Sequence, residues 1–133
     1  MPATANWNVA PMLGVRDVRK SADYYQSVLG FHCAPDGIFG GVGDEGAVYA
    51  ILRREGILIH LQIRRRPLHL DARQDHEGDA YFYVGDVDAL YAEYRQRNVK
   101  IHRPLQDEEY GVRDFTIETP DGHRLAFGTP TRS

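Results

Sequence analysis

Apolar and polar positions along this chain change period twice, in the same order each time. Residues 9–15 place Val9, Pro11, Leu13 and Val15 at every second position, the alternation of a half-buried strand. After Asp17 the apolar spacing lengthens to that of one helical stripe, Val18, Ala22, Tyr25 and Leu29. Asp17 is a good N-cap, its carboxylate able to accept a first-turn N–H, and Gly30 supplies the left-handed residue that ends the helix. Further on, Ala80, Phe82 and Val84 alternate again, Asp86 caps, Val87, Leu90, Tyr91 and Tyr94 form a second stripe, and Asn98 stops it. The wording itself returns: Val15-Arg16-Asp17-Val18 reappears as Val84-Gly85-Asp86-Val87. The chain therefore reads as a duplicated strand–helix–three-strand unit.

The remaining strands fill out each copy. Ile38–Gly41, Ala47–Arg53 and Ile57–Arg64 follow the first helix, with turns at Gly43-Asp44-Glu45-Gly46 and Glu55-Gly56. Val99–Leu105, Val112–Thr119 and Arg124–Gly128 follow the second, the last two joined by Pro120-Asp121-Gly122-His123, a strong hairpin signal. Unit one spans about 7–66, a polar aperiodic linker about 67–78 and unit two about 79–130, within one domain of 133 residues.

Parity along the strands assigns their faces. Ile57, Ile59, Leu61 and Ile63 lie on one side of their strand, with His60, Gln62 and Arg64 on the other. By the same rule Asp79, Tyr81 and Tyr83 oppose Ala80, Phe82 and Val84; Ala126 opposes Leu125 and Phe127; Ala10 and Met12 oppose the first apolar set. The predicted fold class is α+β: tandem βαβββ units forming curved mixed sheets, helices on the outer face, with a concave face left for a ligand.

Composition narrows the function classes. Hydrophobic residues at 42% and charged residues at 26% are those of an ordinary globular protein, and the net charge of −3 favours neither nucleic acid nor an anionic membrane. The one basic run, Arg64-Arg65-Arg66, falls at a strand end where a solvated role suffices. A single cysteine, Cys33, excludes an internal disulfide and is compatible with a reducing compartment. Met1-Pro2-Ala3-Thr4 shows no basic region followed by an apolar stretch, so a cytoplasmic location is expected. No Gly-x-Ser-x-Gly turn, phosphate loop or cysteine pair is present.

Four stretches carry a resemblance: Pro11-Met12-Leu13-Gly14-Val15-Arg16-Asp17-Val18; Tyr24-Tyr25 with Leu29-Gly30-Phe31; Asp88-Ala89-Leu90-Tyr91-Ala92-Glu93; and Tyr110-Gly111-Val112-Arg113-Asp114-Phe115 followed by Pro120-Asp121-Gly122-His123. Over about residues 9–129 the chain resembles the vicinal-oxygen-chelate superfamily, which includes glyoxalase I, extradiol dioxygenases and bleomycin-resistance proteins. Within it the bleomycin-resistance branch is most similar. The resemblance implies the glyoxalase/bleomycin-resistance fold and, for metal-using members, ligands at positions that fall here on Ala10, His60, Asp79 and Ala126. The repeat supports that placement, because Ala10 precedes Asp17 by the interval at which Asp79 precedes Asp86, and His60 follows Gly56 as Ala126 follows Gly122.

Two of these four side chains are methyl groups, whereas a catalytic divalent ion takes three protein ligands and an open position. No metal cofactor is therefore expected; were a divalent ion present, His60 and Asp79 would be the candidate ligands, with Glu118, His32 or a second subunit as the remaining sources of donors. Tyr81 and Tyr83 are expected on the concave face, with Trp7, Phe39, Tyr49 and Tyr110 along its rim, walls suited to a flat conjugated compound. Arg113 and Asp114 lie in the stretch resembling the drug-contacting region, a surface ion pair being the alternative there. The candidate ligand-binding set is His60, Asp79, Tyr81, Tyr83, Phe39, Tyr110 and Arg113, with no catalytic residue.

The resemblance implies a metal-free protein that sequesters an aromatic or glycopeptide-like compound, conferring antibiotic resistance, in a groove of a homodimer paired by strand exchange or edge packing about Pro11. His60 stands where that branch usually has an apolar side chain, which puts bleomycin itself in doubt as the ligand. The alternative is a metal-dependent glyoxalase-like lyase or dioxygenase acting on vicinal oxygens.

Overall fold

A computed structural model describes residues 7–40, 46–67 and 73–131. The Gly43–Gly46 turn, apart from Gly46, the first part of the linker and the Met1–Thr4 segment lie outside the described residues. Unit one contains β1 (Met12–Val15), α1 (Val18–Ser27), β2 (Ile38–Gly40), β3 (Ala47–Arg54) and β4 (Ile57–Ile63). Unit two contains β5 (Ala80–Tyr83), α2 (Val87–Gln96), β6 (Ile101–Asp107), β7 (Val112–Glu118) and β8 (Arg124–Pro130). The sheets run β1-β4-β3-β2 and β5-β8-β7-β6, the same order twice, each with one parallel pair between its first and last strands.

The duplication extends to the caps. Asp17, at φ −138°, accepts from the Lys20 amide at 3.0 Å, and Asp86, at φ −139°, accepts from the Ala89 amide at the same distance. Gly30 and Asn98 both adopt positive φ beyond the helix ends, as the sequence predicts. The Asp-Gly hairpin closes through Gly122 N–H to the Thr119 carbonyl, with Gly122 at φ +92°.

The first strand is shorter than its alternation predicts. Residues 7–11 are irregular, and the ladder with β4 begins where His60 donates its N–H to the Pro11 carbonyl. Proline at 11 has no N–H to extend that ladder, which halts the strand there.

One core joins the units. From the two helical stripes Tyr25 and Tyr94 are fully buried, as are Ile59, Leu61, Phe115, Ile117, Leu125 and Phe127, while Tyr91 is half-buried against them. The Tyr94 hydroxyl donates to the Leu29 carbonyl at 2.7 Å, and Arg54 on β3 grips both carboxylate oxygens of Glu93 on α2, at 2.7 and 2.8 Å. Helices and core thus cover one face of each sheet and leave the other open.

Candidate functional site

On the open face of unit two, the β5–β8 register sets Tyr81 beside Ala126 and Tyr83 beside Gly128, and β7 brings Asp114 opposite Gly128. Glycine at 128 is what lets the strands' side chains cross: the Tyr81 ring lies over it, where a Cβ would meet the hydroxyl oxygen at 2.1 Å. The ring spans β8 and donates its hydroxyl to Asp114 Oδ2 at 2.8 Å. Tyr110, at the turn before β7, donates to the same oxygen at 2.9 Å, and the Tyr83 ring stands 5.3 Å from that of Tyr81. Burial, then the Asp114 hydrogen bond, raises the Tyr81 hydroxyl well above an ordinary phenol, and the same causes in the same order push Tyr110 up to about 12. Both remain neutral donors at physiological pH.

The Asp79 carboxylate is held at the edge of this face. Its Oδ2 accepts from Arg73 and from the Arg124 backbone N–H, the latter at 2.8 Å, and that side chain pins the start of β5 to β8.

Unit one repeats the geometry with different chemistry. β1 and β4 pair Met12 with His60, the crossing equivalent to Tyr81 with Ala126, so the intervals read from sequence locate matching places in the two sheets. His60 Nδ1 and the Tyr49 hydroxyl are 2.7 Å apart, their rings edge to face, and Phe39 pairs with Tyr49 across β2 and β3. The Arg64 stem runs over Gly14, filling the space a Cβ would need there.

Of the residues nominated from sequence, Asp79, Tyr81, Tyr83 and Tyr110 come together on the open face of unit two, while Phe39 and His60 come together on that of unit one. Arg113 joins neither. It shares the parity of Phe115 and Ile117, whose side chains enter the core, and it pairs with Asp88 on α2 at 3.1 Å and Asp107 at 3.3 Å. Its neighbour Asp114 takes the place on the open face, a role that the parity of β7 could have revealed.

The donors at the four chelating positions do not form a cage. Ala126 contributes a methyl, Ala10 is an irregular half-buried residue before β1, Asp79 is engaged by Arg73 and Arg124, and His60 Nδ1 by Tyr49. Among the described residues no group of three His, Cys, Asp or Glu side chains is disposed to hold an ion.

Two grooves border the open face of unit two. One of about 350 Å³ is lined by Tyr81, Tyr110, Asp114, Thr116 and Ala126, with Asp79 at its edge. A larger one of about 630 Å³ runs between the units, floored by Phe31, Ile57, Leu90, Tyr94 and Phe127, with Tyr81 and Tyr83 on its side. Both fall in the size range of small-molecule sites. No described helix is long and apolar enough to cross a membrane.

Residues 9–127 match the family model described as the Glyoxalase/Bleomycin resistance protein/Dioxygenase superfamily. No curated protein matches the sequence. Among solved structures, TioX from Micromonospora sp. ML1 is similar at a TM-score of 0.71 and 20% identity, over 94% of this chain and 99% of that one. The bleomycin-binding protein of bleomycin-producing Streptomyces verticillus, complexed with copper(II)-bleomycin, is similar at 0.65 and 20%, over 98% and 100%. A glyoxalase-related enzyme from Clostridium phytofermentans is similar at 0.70 and 18%, over 98% and 99%.

Proposed function

The chain belongs to the glyoxalase/bleomycin resistance protein/dioxygenase superfamily, and within it we propose that this protein captures a small aromatic molecule without a metal ion. The observation that carries the reading is the exchange of donors for aromatic rings: the positions that would chelate offer methyls or engaged side chains, while Tyr81, Tyr83 and Tyr110 line the open face. Such rings bury large apolar area against a flat guest, and their hydroxyls or partners fix its orientation. The ligand-binding set is Tyr81, Tyr83, Tyr110 and Asp114 on unit two, with Phe39, Tyr49 and His60 on unit one and Asp79 holding the groove edge. The similar S. verticillus protein is bleomycin-binding, which agrees with capture rather than turnover.

The working form is a homodimer. Trp7, Val9, Met12, Phe39 and Tyr83 are large apolar side chains exposed on the single chain, and a second copy seated on them would cover them. A groove closed between copies would set the unit-one face of one chain against the unit-two face of the other. Capture of this kind by stoichiometric binding would give resistance to the captured compound.

Titration calorimetry with metal-free bleomycin and with a series of planar aromatic compounds, in chelator-treated buffer, tests the proposal. Saturable binding of at least one compound is expected. Binding that appears only after a divalent ion is restored would favour the lyase or dioxygenase reading, to which His60 on the open face and the glyoxalase-related neighbour lend their support.

A further inference from the structure

Asp114 is only 5% exposed, yet no cationic side chain lies within ion-pair distance of it among the described residues. A carboxylate so buried is costly unless its charge is met. Tyr81 and Tyr110 satisfy Oδ2 alone. Among the described residues Oδ1 receives no hydrogen bond, and Asp114 lines the 350 Å³ groove.

The surroundings of the groove point the same way. Asp75 and Glu77 also line it, with no cationic side chain within ion-pair distance of either carboxylate among the described residues; Arg124 Nη1 donates to their backbone carbonyls at 3.5 and 3.2 Å, and Arg103, the arginine in the lining, lies 3.5 Å from Glu108. Phenol rings add their negative faces beside the carboxylate, the arrangement that attracts an organic cation. A guest that brought only apolar surface would leave Asp114 buried deeper and still without a counter-charge, whereas one bearing an N–H cation would supply it.

Resting on the small-molecule reading above, we infer that the guest is a cationic aromatic compound, its protonated amine or amidine docked on Asp114 Oδ1 between Tyr81 and Tyr110 and its rings laid along Tyr81 and Tyr83. The carboxylate selects by charge and the tyrosines by shape.

Proflavine and acridine share a ring system, and in mildly alkaline buffer the first is protonated and the second neutral. Titrated into the full chain, proflavine is expected to bind at least about tenfold more tightly than acridine. Asp114→Asn keeps the size of the side chain and removes its charge; it should cut that preference to about twofold, the part the tyrosine faces supply. Thr116→Lys leaves Asp114 and both phenols untouched, places an ammonium in the groove, and should cut the preference equally, which guards against a folding defect in the first variant. Equal binding of the two dyes by the natural chain, or an undiminished preference in both variants, overturns the inference and leaves capture of aromatic compounds standing. Binding of neither dye overturns both.

Discussion

The Tyr81 hydroxyl reaches Asp114 on the far side of β8, 2.8 Å from oxygen to oxygen, and the strand between them yields the space because residue 128 is glycine. A methyl there would lie 2.1 Å from the hydroxyl oxygen and 2.9 Å from the carbon that bears it. Gly128→Ala is therefore expected to drive the Tyr81 ring off the sheet and lower stability by about 1–3 kcal/mol, in the manner of an overpacked core position. Adding Tyr81→Ala removes the clash, so the double variant should lose less than the sum of the two single losses. Urea unfolding of the four proteins measures this.

The two phenols on Asp114 should contribute unequally. Tyr81 is 38% exposed and Tyr110 67%, so water replaces the lost donor more readily at Tyr110. Tyr81→Phe is expected to cost about 1–2 kcal/mol and Tyr110→Phe about half of that. Chemical denaturation at neutral pH is the check.

Glu93 ties the units together through Arg54. Its hydrogen bond to that guanidinium holds the carboxyl below the usual range, so its contribution is present at neutral pH and is lost as pH falls through and below about 4. The pair is about a quarter exposed, and solvent screening keeps the cost of Glu93→Gln near 1 kcal/mol. The variant should unfold with a flatter pH dependence below about pH 4.5 than the natural chain.

His123 acts at higher pH and with the opposite charge. It is buried in the hairpin turn with Nδ1 lacking a partner among the described residues, and burial lowers its pKa despite Asp79 and Asp121 nearby. Below about pH 6.5 the unfolded chain takes up a proton that the folded chain resists. Stability is complete above that pH, declines as pH falls toward the depressed folded value, and levels off beneath it. His123→Gln should remove this decline between about pH 7 and pH 5, read from the urea midpoint across that range.

The repeat made most of the fold legible. Asp17 and Asp86 cap at matching angles, Gly30 and Asn98 end the helices, and the parity of β4 and β5 placed His60, Tyr81 and Tyr83 on open faces. These features are local, fixed by residues a turn or a strand apart. The start of β1 was not, because alternation runs through Pro11 and the missing N–H tells only once its ladder partner is known. Asp79 looked free because Arg73, which takes it, lies in a linker without periodicity. Arg113 lies in the stretch that resembles the drug-contacting region, yet the parity set by Phe115 and Ile117 turns it to Asp88, the surface ion pair that was the alternative there, and gives the open face to Asp114. Gly128 read as the end of a strand; its task depends on a ring arriving from β5 and a carboxylate from β7.

Native mass spectrometry of the protein, purified without chelator and then mixed with proflavine, tests the central claim most directly. The account predicts a dimer of metal-free mass that gains the mass of the dye. One transition-metal ion retained per chain, with no dye bound while the ion is in place, would contradict it.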